Sequence, residues 1–363
     1  MALSPAQGVG VMRRYRSGPT PLSREHLGLV LLLLLAPFAP SIGAPQLPGE
    51  QPPATHVLIV TGASGEPRFA DAFFAQASAF RRAVIESGAI PDSAVIFLAE
   101  DPARAPAVIA GRSVRDNVIG ALHTIARRAR PGDNVLVLLI GHGSWQDGVS
   151  RFNLPGPDLT DREWSELLRT LDRQTVAIVV AASASGEFVK SLSGSNRVVI
   201  TATKSGFERN ETIFAEHFVA AFVGERADTD KDGRVSLLEA FVYAKREVER
   251  AYELADKLLT EHAVLDDDGD GVGSASPGIA GAKDGYKASS FFVGPGRVAA
   301  ALLTDPRAVE LIAQQRRLQH SIDSLRAMRS AMSETEFQNA LEPLLVKLAE
   351  TTRALRALEP RKP

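Results

Sequence analysis

The stretch VLVLLIGHGS, residues 135–144, contains a continuous apolar run that ends in a glycine-flanked histidine, His142. A second run, VAIVVAA at residues 176–182, ends in the polar cluster SASG, residues 183–186. Apolar runs of this length are typical of strands that are buried on both faces, as in a parallel sheet. In such sheets ligands bind at the carboxyl ends of the strands. The pattern therefore predicts a base, His142, beside a hydroxyl nucleophile, Ser183.

Further short apolar runs alternate with segments of helical spacing around these two strands. This alternation is typical of a parallel sheet with helices on both faces, so the sequence predicts a three-layer α/β/α sandwich with a mostly parallel sheet. The additional predicted strands are residues 57–61, 95–99 and 197–203, with a late edge strand at 287–293, and the predicted helices lie near 68–87, 113–130 and 161–171.

The two strand ends resemble those of the legumain and caspase-like (clan CD) cysteine peptidases, in which one strand ends in His-Gly and the next in Cys-x-Ser-Gly. The resemblance covers residues 55–295. It implies that His142 is the general acid/base and that Gly143 donates an oxyanion N–H. Ser183 occupies the nucleophile position, and the chain contains no cysteine.

The serine at the nucleophile position is compatible with three functional hypotheses. A serine hydroxyl is a far weaker acid than a thiol and needs a base that a third group orients, and Asp147, Asp158 and Glu187 are candidates for that group by proximity alone. The leading hypothesis is an inactive, exported, calcium-binding relative of these peptidases. The alternatives are a hydrolase that uses Ser183 with His142, and a structural envelope protein.

The segment after the strand at 197–203 is predicted to line the same crevice. The resemblance implies that this region forms part of the pocket for the residue before the cleaved bond. Lys204 and Arg209 would then bind an acidic ligand, and the alternative is that each is a solvated loop charge.

The segment DTDKDGRVSLLE, residues 228–239, closely resembles an EF-hand loop. Calcium prefers six to eight oxygen ligands, which such a loop supplies at positions 1, 3, 5, 7, 9 and 12 around a glycine at position 6. The predicted Ca²⁺ ligands are Asp228, Asp230, Asp232, the Arg234 carbonyl, Ser236 and Glu239.

A second acidic segment, DDDGDG at residues 266–271, matches a calcium loop at positions 1, 3, 5 and 6. Position 12 is Pro277, whose side chain has no oxygen. An atypical calcium site and a plain Asp-Gly turn both fit this pattern.

The amino-terminal residues have the pattern of an export signal. Four arginines precede the apolar run 27–36, which is too short for a bilayer span of about 20 residues, and small residues follow at 41–43. We predict a signal peptide over 1–43, a proline-rich linker over 44–54 and a periplasmic or secreted protein. After cleavage the chain would not be an integral membrane protein, and the alternative is an uncleaved membrane anchor.

The formal net charge of −2 gives no global field that favours nucleic acid, so we expect no nucleic-acid partner. The resemblance to peptidases implies a peptide or protein ligand. Residues 305–360 repeat apolar side chains at helical spacing and predict a helical hairpin or coiled coil. This hairpin either packs on itself or on the main domain, or it mediates self-association. The apolar residues of the repeat are Leu311, Leu318, Ile322, Leu325, Met332, Phe337, Leu341, Leu344, Leu348, Leu355 and Leu358.

Overall fold

The computed structural model describes residues 53–86, 89–224, 226–279, 282–294, 305–327 and 332–358. The predicted signal peptide 1–43 lies outside the described residues, as does the predicted linker 44–54 except for its last two residues. In the described residues no helix is long and apolar enough to cross a membrane.

The strands are β1 (Thr55–Thr61), β2 (Val95–Ala99), β3 (Gly111–Arg112), β4 (Asn134–Ile140), β5 (Gly143–Gln146), β6 (Val149–Phe152), β7 (Leu159–Thr160), β8 (Thr175–Ala181), β9 (Arg197–Thr201) and β10 (Val264–Asp266). The helices are α1 (Pro67–Glu86), α2 (Arg115–Arg128), α3 (Asp161–Leu168), α4 (Phe188–Leu192), α5 (Phe214–Val223), α6 (Leu237–Leu254), α7 (Tyr286–Ser290), α8 (Pro306–Ala327) and α9 (Glu334–Leu358). Short 3₁₀ turns lie at Asp92–Ala94, Pro102–Arg104 and Arg169–Leu171.

Seven strands form the main sheet in the order β10-β9-β8-β4-β1-β2-β3. Neighbouring strands are parallel throughout, except that β10 runs antiparallel to β9 at one edge. The central strands are buried almost along their whole length, which explains why their sequences are continuous apolar runs rather than alternating ones.

Alternate residues of each central strand enter two separate cores. Val57 and Ile59 of β1 pack on one face of the sheet, against α1, α5 and α6. Leu58 and Val60 pack on the other face, against α2, α3 and α4. Helices therefore cover both faces of a mostly parallel sheet, and the predicted three-layer α/β/α class is confirmed.

A small antiparallel sheet follows β4 and consists of β5, β6 and β7. Asp147 and Gly148 form its first turn, with φ of 53° and 76°. Positive φ at both central residues is the geometry of a type I′ hairpin, which favours Asp-Gly. This sheet begins just after His142, whose carbonyl accepts a hydrogen bond from Asn153 N at 3.0 Å.

The predicted edge strand at 287–293 is wrong. Residues 286–290 form the short helix α7, and beyond it only Phe292 makes an isolated bridge, to Ser236. The edge position belongs to β10, a three-residue strand that the apolar pattern missed because it carries few apolar residues before the acidic loop.

The helices α8 and α9 contact each other along their lengths. Ala308 and Ile312 near the start of α8 pack on Leu355 near the end of α9, and Gln315 donates a hydrogen bond to Thr352. Pairing early residues with late ones indicates antiparallel packing. Self-association through these helices stays a prediction.

Candidate functional site

The candidate active site lies where β4 and β8 end. The two strands are neighbours, and Ile140 at the end of β4 pairs with Ala181 at the end of β8. Their register brings the next residues together at the same edge of the sheet. Ser183 Oγ lies 3.3 Å from Gly143 N, whose N–H donates to it, and 3.3 Å from Gly143 O, to which the hydroxyl donates.

His142 is half-buried, and its ring contacts aromatic side chains instead of a polar partner. The ring packs edge-on against Phe69 and Phe73 of α1, with ring centroids 4.5 Å and 5.2 Å away. Among the described residues no hydrogen bond reaches either ring nitrogen. The two aromatic rings restrict the orientation of the imidazole.

None of the three acidic residues considered as a third catalytic group orients His142. Asp158 accepts a hydrogen bond from Leu154 N at 2.9 Å, and Glu187 pairs with Lys190 at 2.7 Å. Asp147 lies in the hairpin turn of the small sheet. The carboxylate of a serine triad, which fixes the histidine tautomer, has no counterpart in the described part of the chain.

The backbone after Ser183 is held in an uncommon conformation. Ala184 is 1% exposed and has φ of 53°, a left-handed conformation that is unusual for a residue with a side chain. Its N–H donates to Glu208 O at 2.8 Å. Such conformations persist where the surrounding structure enforces them, often at functional sites. Ser183 itself is only 5% exposed.

Thr203, just after β9, belongs to the segment predicted to line the crevice, but its contact with the segment that follows the nucleophile position was not predicted. Its Oγ1 accepts hydrogen bonds from Ser185 N at 2.8 Å and Gly186 N at 3.1 Å, and it lies 3.1 Å from Ser185 Oγ. All of these atoms are buried. The signal in the sequence that could have indicated this contact is a polar residue directly after β9, the neighbour of β8 in the sheet.

Trp145 and Phe207 form an aromatic wall of the crevice. Their ring centroids are 4.8 Å apart with the ring planes tilted by 54°, and Phe207 is 72% exposed. The Trp145 side chain lies directly on Gly206, where an added Cβ would come within 2.2 Å of the indole. Glycine is therefore required at this position for the two segments to approach each other.

The two cations considered for an acidic ligand have partners within the chain. Arg209 donates to Trp145 O at 3.2 Å, and Lys204 Nζ lies 3.8 Å from Glu208 Oε1. Both residues are exposed. This geometry favours the alternative of solvated loop charges over a preformed acidic pocket.

The loop between α5 and α6 brings three of the predicted calcium ligands together. Asp228, Asp230 and Asp232 each place a carboxylate oxygen within 4.8 Å of the others. Gly233 has φ of 84°, as the turn at position 6 requires. Burial, together with the charge of Asp232, raises the pKa of Asp230. Three converging carboxylates are a donor set that fits calcium.

The remaining predicted ligands are at the start of α6. Ser236 and Glu239 form a capping box, and Glu239 Oε1 also accepts from Thr229 N at 2.8 Å. Burial opposes ionisation of Glu239, but hydrogen bonds from Ser236 and Thr229 outweigh it and lower the pKa. The side chain of Arg234, whose carbonyl is the predicted ligand, pairs with Asp232 at 2.8 Å. Glu239 is thus not grouped with the three aspartates.

The second acidic loop also gathers carboxylates, but with a partner that the local pattern does not contain. Asp266 and Asp268 come within 4.8 Å of Asp284, which lies beyond Pro277 in the chain. Burial raises the pKa of both Asp266 and Asp284, and neighbouring carboxylates add to the effect.

No protein-family model matches the chain, and no curated protein gives a significant match. Among solved structures, the Geobacter sulfurreducens protein GSU0716 is 15% identical, with a TM-score of 0.39 over 59% of this chain and 93% of that protein. The structure of drICE, a caspase, is 10% identical, with a TM-score of 0.36 over 60% of this chain and 88% of drICE. The fold class assigned above depends on the sheet order and its two helical layers.

Proposed function

We propose that this protein is an exported, calcium-binding relative of the caspase and legumain-like peptidases that lacks peptidase activity and binds a peptide or protein ligand. The observation that carries the proposal is the environment of Ser183. Its hydroxyl is hydrogen-bonded to the backbone of Gly143, and the ring of His142 is held by phenylalanines instead of a carboxylate.

This arrangement disfavours catalysis for two reasons. The Gly143 N–H is the donor that the resemblance assigns to the oxyanion, yet here it donates to the nucleophile position itself. A serine hydroxyl also needs an oriented base to lose its proton, whereas a thiol with a pKa of about 8.5 ionises readily beside an imidazole. The chain contains no cysteine, so no thiol can act as the nucleophile in place of Ser183.

The crevice nevertheless has features of a binding surface. Phe207 exposes most of its ring and is supported from one side by Trp145. Exposed, rigidly supported aromatic side chains are frequent anchors for peptide and protein partners. The amino-terminal basic and apolar segment supports export, and the 228–239 loop supports calcium binding in a calcium-rich compartment.

The decisive experiment compares the protein with S183C. We expect the wild type to cleave no member of mixed peptide and ester libraries, with or without calcium. If the rest of the peptidase site is intact, S183C gains thiol-dependent cleavage of about 10²-fold or more over the wild type, and H142A in the S183C background removes it.

The matched control is S195C, which places a thiol on the exposed loop before β9, at the amino-terminal ends of the strands and away from Ser183. It should remain inactive. Turnover by the wild type that H142A or S183A abolishes would contradict the proposal and establish a serine hydrolase instead.

A further inference from the structure

The loop that follows β10 contains a cluster of carboxylates with no role in the proposed function. Asp266 is completely buried and Asp284 is 6% exposed, whereas Asp268 is exposed. Each places a carboxylate oxygen within 4.8 Å of the other two. The cluster lies beside the segment between α4 and β9, where a Cβ added at Gly269 would come within 3.1 Å of the Gly194 backbone.

Among the described residues, no cation is paired with this cluster. In the ranges that the structure describes, no salt bridge reaches Asp266, Asp268 or Asp284. The nearby lysines are engaged elsewhere: Lys283 pairs with Asp270 at 3.3 Å, and Lys287 donates to the carbonyl of Asp267. Buried carboxylates without a compensating charge are costly, so their convergence calls for a ligand of positive charge.

A buried oxygen in the cluster has no partner. Asp266 Oδ1 accepts a weak hydrogen bond from Gly269 N at 3.3 Å, but Asp266 Oδ2 is inaccessible to solvent and accepts none. Ser193 Oγ is close to this carboxylate, yet it too forms no hydrogen bond of acceptable geometry. Such an atom is rare in a folded protein unless water or an ion occupies the space beside it.

The neighbouring backbone groups hold the cluster in place without using up its oxygens. Asp284 accepts from Asp267 N at 3.0 Å and Asp268 N at 3.3 Å, both through Oδ1. Asp268 Oδ1 accepts from Asp270 N at 2.9 Å. One oxygen of each carboxylate therefore fixes the loop, and the other remains for a ligand.

The chemistry of the donors selects the ion. The cluster contains carboxylate oxygens and no histidine or cysteine, which excludes the nitrogen and sulfur ligands that zinc and copper prefer. Residues 266–271 have calcium-loop spacing, and Pro277 at position 12 provides no oxygen. Asp284 supplies a carboxylate from outside the loop instead. Calcium tolerates such an irregular set better than magnesium, which demands near-ideal octahedral geometry.

We propose that Asp266, Asp268 and Asp284 form a second Ca²⁺ site, independent of the 228–239 loop, that joins the edge strand β10 to the segment preceding α7. The ion would neutralise buried charge and connect two segments that are 18 residues apart at Asp266 and Asp284. Bound calcium would therefore order the edge of the main sheet.

The test uses the full-length chain with Ca²⁺ as the only probe. The background variant D228N/D230N removes two of the converging charges of the first loop, so that calcium bound there does not mask the second site. Equilibrium dialysis with labelled calcium up to about 10 mM covers the range of extracellular modules, whose dissociation constants are about 10⁻⁴–10⁻³ M. We expect this background to bind one ion per chain.

Adding D284N to the background should weaken the remaining binding at least about tenfold, because affinity depends on the number of charged ligands. D268N is the second variant: its side chain is exposed, so it leaves the core unchanged and should weaken binding as well. D172N, at an exposed position outside the cluster, is the matched control and should bind as the background does. Far-UV circular dichroism verifies that each variant folds.

Hydrogen exchange gives an independent readout in the D228N/D230N background. Calcium should slow exchange of the amides of Gly285 and Ala288, which donate to Asp267 beside the cluster. The proposal is overturned if the background binds no calcium, or if folded D284N and D268N variants bind it with unchanged affinity. Neither result bears on the state of Ser183 or on the first loop.

Discussion

Replacing Thr203 with valine should destabilise the loop that carries Ser183. Thr203 is fully buried, and its hydroxyl oxygen accepts hydrogen bonds from the backbone N–H groups of Ser185 and Gly186. Valine has nearly the same shape but no hydroxyl, so T203V keeps the packing and leaves both N–H groups without that acceptor.

The size of the effect follows mainly from the two backbone N–H groups that lose their acceptor. Ser185 Oγ and Ser205 O lose longer contacts with the same hydroxyl, at 3.1 Å and 3.3 Å. A buried polar group left without a hydrogen bond costs about 1–3 kcal/mol. Two such groups, with some relaxation of the loop, lower the free energy of unfolding by about 2–4 kcal/mol. A typical domain has about 5–15 kcal/mol in total, so the loss is easily measured.

Urea denaturation followed by circular dichroism measures this change. T203S retains the hydroxyl and should lose about 1 kcal/mol or less, since only a methyl group is removed. T124V controls for the same exchange at a half-buried helix residue whose hydroxyl hydrogen bond is solvent-exposed, and it should lie within about 0.5 kcal/mol of the wild type. A free energy of unfolding for T203V within about 0.5 kcal/mol of T203S would refute the reasoning, because the hydroxyl would then contribute nothing.

Three further predictions concern charge, calcium and helix propensity. Burial raises the pKa of Glu261 from 4.5 to about 7, so between these pH values the folded state retains a proton that the unfolded chain releases. The contribution of this proton to the free energy of unfolding is complete below pH 4.5 and is lost as the pH rises through about 7. The free energy of unfolding measured from pH 4 to 8 should therefore fall more steeply with pH in the wild type than in E261Q, by up to about 3 kcal/mol in total, and E253Q at an exposed site should follow the wild type. Millimolar calcium should raise the melting temperature, by an amount equivalent to about 2.7 kcal/mol at a hundredfold excess over the dissociation constant, and E239A should lose more of this rise than E249A; equal calcium responses in the two variants would contradict the 228–239 assignment. G120A, at an exposed position inside α2 with open space around the added methyl group, should stabilise the protein by about 0.5–1 kcal/mol in the same urea assay, and a destabilised variant would show that this position is not in a regular helix.

The predictions that succeeded depend on local patterns with strong physical causes. Continuous apolar runs identify β4 and β8 because strands buried on both faces have no position for polar side chains. Parallel strands end at one edge, so the sequence predicted that the residues after β4 and after β8 meet there, and Gly143 does contact Ser183. The pairing of His142 with Ser183 stays a prediction. The Thr-x-x-Glu spacing of Thr160 and Glu163 is typical of a capping box, and a capping box of these two residues starts α3. Each of these features depends on residues that are close in the chain.

The features that only the tertiary structure decided join residues that are distant in the chain. Asp284 completes a cluster begun at Asp266, and Thr203 binds the loop after Ser183 across the sheet. Phe69 and Phe73 surround His142 from α1. No local period or spacing encodes such contacts, because they arise when separate elements pack against one another. The sequence thus determined the α/β/α layers and the end of the sheet at which the polar residues gather. Packing decided which of these polar groups have hydrogen-bond partners and which remain unpaired.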